Sequence, residues 1–120
     1  GYLIGKTLEH QGNYDEALNI YIESLALYPK HYELRKSIGR MYRFLGNYDK
    51  SINILKDLLL PTPISAELNL EISESYYAQG NRKKALEHLN TTLEVWKDAD
   101  AKYKPAIEAQ KKWTKWNQLN

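Results

Sequence analysis

At 120 residues, 42% of them apolar and 27% charged, the chain has room for one domain with a modest core. Its formal charge of +2 is too small and too evenly spread for a nucleic-acid footprint, and no apolar run approaches the roughly 18 residues that cross a bilayer. Without cysteine there is no disulfide framework and no thiolate chemistry.

No signal-peptide pattern opens the chain, and the compartment stays open, with the cytoplasm favoured and the periplasm the alternative. His10, His31 and His88 fall on different elements, so neither a metal nor any other cofactor is expected.

In chain order, the sequence opens inside a helix that carries Ile4 and Leu8 and runs to a break at Gly12-Asn13. Glycine suits the left-handed position past a helix C-terminus, and asparagine caps the next helix. Asn13 is followed three residues on by Glu16, which resembles a capping box with Asn in the Ser/Thr place. Leu18, Tyr21, Ile22, Leu25 and Tyr28 then recur at helical spacing until Pro29. The next Gly46-Asn47 break introduces Ile52, Leu55, Leu58 and Leu59, stopped by Pro61-Thr62-Pro63. Pro61 stands where the earlier helix has Leu27, so this helix is expected to end about two residues sooner. A third break, Gly80-Asn81, precedes Ala85 and Leu86. After Trp96 come Ala106, Ala109, Trp113 and Trp116 at three-and-four spacing, with Pro105 suited to a first helical turn. This last stretch reads as a capping helix whose apolar stripe covers the preceding helices. The alternative is a Trp-bearing docking helix for another chain. Lys111, Lys112 and Lys115 lie in its C-terminal half, where they complement the helix dipole.

The three breaks are 34 residues apart each time, the mark of one helix–turn–helix unit copied and stacked. Reading down the period aligns Ile4, Ile38 and Ile72, and likewise Leu25, Leu59 and Leu93. Small residues align as Gly5, Gly39 and Ser73 and as Ala17, Ser51 and Ala85, where crossing backbones must approach. Leu8, Tyr42 and Tyr76 share a further column. All these columns are expected in the core.

With its small residues at Gly5 and Gly39, its Gly-Asn-Tyr-Asp turns, Ala17, Ala85, Tyr21, Pro29 and Pro63, the chain resembles a tetratricopeptide repeat protein over residues 1–97. The resemblance implies an all-α fold, a right-handed superhelical stack of antiparallel helix pairs. It divides the chain into repeats at about 1–30, 31–64 and 65–97, followed by a capping helix at 98–120. Three positions depart from the pattern: Arg82 replaces the turn tyrosine, Lys97 the closing proline, and Leu58 a small residue, which is expected to loosen the second repeat. The first repeat lacks its opening residues, so the chain reads as a piece of a larger protein with Gly1 left from a tag. The segment after Trp96 weakly resembles the close of some multi-domain bacterial repeat proteins, and a bacterial origin is expected.

In that family the first helix of each repeat lines a concave groove that holds a peptide or a partner helix. Helical spacing assigns to this face Tyr2, Lys6, Glu9 and His10, then Glu33, Lys36, Ser37, Arg40, Arg43 and Phe44, then Glu67, Leu70, Glu71, Glu74, Tyr77 and Ala78. Tyr2, Lys6, His10, Lys36, Arg40, Arg43, Leu70, Glu71, Glu74 and Tyr77 are the candidate partner-binding residues. The columns Lys6, Arg40, Glu74 and Leu3, Ser37, Glu71 predict a groove basic over two repeats and acidic over the third, suited to a partner with an acidic part beside an apolar one. The same charges also serve solubility alone. Reversing Arg40 and Arg43 is expected to abolish binding without unfolding the chain. Family members that bind chaperone tails clamp a carboxylate with cations; here Glu67 and Glu71 occupy clamp positions and would repel it.

A protein or peptide partner is therefore expected, with no nucleic acid and no membrane. The competing reading is self-association, as a homodimer or an extended solenoid, through the open first repeat or the C-terminal tryptophans. Catalysis is not expected: His10 with Glu9 or Glu33 lies on an open face without a nucleophile or oxyanion donors.

Overall fold

A computed structural model describes residues 1–118. Among them there are seven helices and no strand: α1 (Tyr2–His10), α2 (Tyr14–Leu27), α3 (Tyr32–Phe44), α4 (Tyr48–Leu59), α5 (Ala66–Gln79), α6 (Arg82–Val95) and α7 (Lys104–Asn117). None of these helices is long and apolar enough to cross a membrane. The chain divides into two compact units, Gly1–Leu58 and Leu59–Asn120, each described by itself below.

The repeated turn has one physical basis. Gly12, Gly46 and Gly80 have φ of 79, 84 and 94°, the left-handed region that a side chain resists. Each places the following asparagine N–H on the carbonyl five residues back in a Schellman closure: Asn13 to Leu8 at 2.9 Å, Asn47 to Tyr42 at 2.8 Å and Asn81 to Tyr76 at 2.9 Å. Asn47 and Asn81 then accept from the backbone of Lys50 and Lys84. Asn13 does not. Its amide donates to Gln11 instead, Glu16 is exposed, and the expected capping box is absent. At the opposite ends His31 and Ser65, also one period apart, cap α3 and α5 by accepting from Leu34 and Leu68 N–H, each at 3.2 Å.

In unit 1, α1 packs on α2 where a β-carbon at Gly5 would overlap the Tyr21 ring, and α3 on α4 where one at Gly39 would meet Leu55 at 2.7 Å. Ala17, Tyr21, Leu34, Ile38 and Met41 form the core, edged by Leu8, Leu18, Leu25, Tyr42 and Ile54. In unit 2, Ile72, Leu68, Ala85 and Leu89 are buried, and Thr92 on α6 donates to the Ala66 carbonyl at the start of α5. α7 packs on α6, with Ala109 fully buried, Trp116 5% exposed and Ala106 and Trp113 half-buried.

Several core expectations are corrected. Ile4 is 58% exposed although Ile38 and Ile72 are buried; Ile38 lies beside Leu25 and Ile54. Leu25, Leu59 and Leu93 are only half-buried, and Ile22 and Tyr28 are exposed. Leu58, expected to loosen its repeat, is 5% exposed. α4 stops at Leu59, short of the position matching Leu27, as Pro61 requires.

Candidate partner-binding faces

The face of α1 and α3 in unit 1 is organised by one charge network. Arg40 donates to Glu9 from Nε at 2.7 Å and from Nη2 at 3.1 Å, and from Nη2 also to Ser37 Oγ at 3.2 Å. The Tyr21 hydroxyl donates to Glu9 Oε1, the oxygen that also accepts from Arg40 Nη2, at 2.9 Å, and Lys6 Nζ stands 3.9 Å from it. Burial pushes the Glu9 carboxyl up, but the hydrogen bonds and charge of Arg40, helped by Tyr21 and Lys6, outweigh it and hold the group below its usual range. Burial first, then the bond to Glu9 and its charge, push the Tyr21 hydroxyl well up.

Arg40 thus ties α3 to α1 through Glu9. Ser37 is fully buried beside it. Arg43 is 8% exposed and lies over the Phe44 ring at 5.0 Å, so it too is withdrawn from the surface. Lys36 bridges Glu33 at 3.3 Å and sits over Tyr32. The Tyr2 and His31 rings lie tilted to one another with centres 5.8 Å apart, and the two line a hollow of about 230 Å³ with Ser24, Tyr28 and Leu34. His10 is exposed at the end of α1.

In unit 2 the α5 face meets α7. Tyr77 stacks on Trp116 with ring centres 4.2 Å apart and planes 10° from parallel, and Glu74 pairs with Lys112 at 3.4 Å. Both residues, expected on the groove face, contact α7; Leu70 and Glu71 on the same helix are half-buried. Arg82 at the start of α6 reaches the Trp116 carbonyl at 3.5 Å.

Sequence reasoning missed the Glu9–Arg40–Tyr21 network. Its signal was present: Glu9 lies one helical turn past Lys6, which shares a column with Arg40, so facing helices bring opposite charges level. The seat of α7 on Tyr77 had no such signal, since the period stops before α7 begins.

Residues 2–59 match a family model described as "Tetratricopeptide repeat". No curated protein matches the sequence. Among solved structures, PcrH from Pseudomonas aeruginosa is similar at a TM-score of 0.82 and 16% identity, covering 97% of this chain and 88% of that one. PcrH in complex with the chaperone binding region of PopD gives 0.80 and 16% over 97% and 87%. The first TPR of Spaghetti (RPAP3) bound to HSP90 peptide SRMEEVD gives 0.78 and 17% over 98% and 87%. At these identities the likeness is one of fold.

Proposed function

We propose that this chain, whose residues 2–59 match the tetratricopeptide repeat model, is a protein-interaction module made of repeats at about 1–30, 31–64 and 65–97 with a closing helix at 98–120. The observation that carries the reading is that two structures of the same fold hold a partner segment, the PopD region in one and the peptide SRMEEVD in the other. The partner-binding residues are Tyr2, Lys6 and His10 on α1, Lys36 on α3, and Leu70 and Glu71 on α5, each set acting on its own unit. Arg40, Arg43, Glu74 and Tyr77 support those faces through the contacts described above. Peptide-display selection followed by amide exchange tests this. Selected peptides should slow exchange along α1, α3 and α5, whereas a selection yielding no binder, or protection elsewhere only, overturns it.

One observation favours self-association as a second reading. Leu3 is 78% exposed, Ile4 58%, Leu27 75% and Tyr28 62%, large exposed apolar side chains of unit 1, while Ile38 at the register of Ile4 is 4% exposed. Light scattering over a wide range of concentration decides it: a dimer that L3E/I4E disperses supports this reading, and a monomer throughout removes it.

A further inference from the structure

On α1 and α3, Lys6 and Arg40 surround Glu9, Lys36 pairs with Glu33, and Arg43 is buried. On α7, Lys104, Lys111 and Lys115 are exposed and make no ion pair among the described residues. At about 100° per residue their three directions fall within roughly 40° of one another, a single stripe some 16 Å long. The buried face of α7, with Ala109 and Trp116, lies on the far side. Lys112 falls between the two, and its bridge to Glu74 puts the edge of the stripe beside the α5 face.

We propose that this stripe is a docking surface for an acidic helical segment of a partner protein, an inference that rests on the interaction-module reading. Open hollows of about 280 and 210 Å³ flank the ridge, the first lined by Gln110, Lys111, Thr114 and Lys115, the second by Glu108 and Lys112 with the same lysines. Ile107, 40% exposed, offers an apolar contact next to the charges. Carboxylates at three- and four-residue spacing on a facing helix would meet the lysines, and a single basic residue among them would meet Glu108. Glu108 within the stripe would repel a phosphate backbone. Trp116 is buried and Trp113 half-buried, so α7 presents no open indole on which bases could stack. A protein segment therefore fits the stripe better than a nucleic acid.

The test uses a synthetic 15-residue helical peptide with glutamates and leucines along one face, its glutamine counterpart, and a single-stranded DNA 20-mer, read by fluorescence anisotropy. The glutamate peptide should bind and the glutamine peptide should not. Binding should fall about tenfold in K104E/K111E/K115E and stay unchanged in K30E/K83E/K102E, which alters net charge equally. The neutral K104Q/K111Q/K115Q, should the reversal disturb the helix, must still weaken binding. Equal loss in both reversal variants, equal binding of both peptides, or preference for the DNA overturns the proposal. Binding that survives all α7 changes but is lost in K36E/L70A also overturns it, while leaving the interaction-module reading in place. If no peptide from the display selection binds either, both readings fall.

Discussion

Arg40 on α3 grips Glu9 on α1 with two nitrogens, at 2.7 and 3.1 Å, and so ties together two helices that never follow one another directly in the chain. Both side chains are 13% exposed. Removing Arg40 strips the partly buried Glu9 carboxylate of its strongest cationic hydrogen bonds. R40E, which sets two carboxylates face to face, is expected to cost on the order of 3 kcal/mol in chemical denaturation. R40K, keeping the charge but not the fork, should cost less. The sequence suggests that this reversal leaves the fold intact; an unchanged midpoint for R40E would restore that view.

The same carboxylate fixes an acid response. Its folded value lies below the usual 4.5, so the unfolded chain binds the proton more readily. The network's contribution is present above the ordinary glutamate value and is lost as pH falls through the lower folded one. Melting temperature should therefore drop more steeply below about pH 4.5 in the natural chain than in E9Q, which has no charge to lose there. Parallel curves would mean that Glu9 does not govern this limb.

The turns and the close helix crossings were legible in the sequence because both are local or fixed by one small residue. A positive φ needs glycine wherever the chain lies, and Gly39 admits Leu55 by its missing side chain. What was not legible depends on which helix lies opposite. Ile4 and Ile38 are the same residue at the same register, yet Ile38, beside Leu25 and Ile54, is buried and Ile4 is not. Arg40 reads as an exposed cation until α1 brings Glu9 to it. Asn13 has the spacing of a cap but a competing partner in Gln11.

Two glycines separate sterics from backbone strain. An alanine at Gly39 must displace Leu55 from 2.7 Å and should cost about 1–3 kcal/mol. Gly12 has nothing within 4 Å of a β-carbon but a φ of 79°, so G12A should cost about 1 kcal/mol through conformation alone. Thermal melts of the two variants check this. In G39A/L55A the clash is relieved and the cost should fall below the sum of the single changes; strict additivity would place the strain elsewhere.

α7 is held to unit 2 chiefly by Trp116, 5% exposed and stacked on Tyr77. W116A removes that contact and leaves a void beside Tyr77, with an expected cost of about 3–5 kcal/mol. Y77A should cost less, since Tyr77 is half-buried. In the double variant the two costs should fall short of their sum by about 1 kcal/mol, the coupling of a stacked aromatic pair. Denaturation followed by tryptophan fluorescence measures the cycle. A coupling of zero would mean that the rings merely lie parallel, and that α7 is retained by its packing on α6 and the Lys112–Glu74 bridge instead.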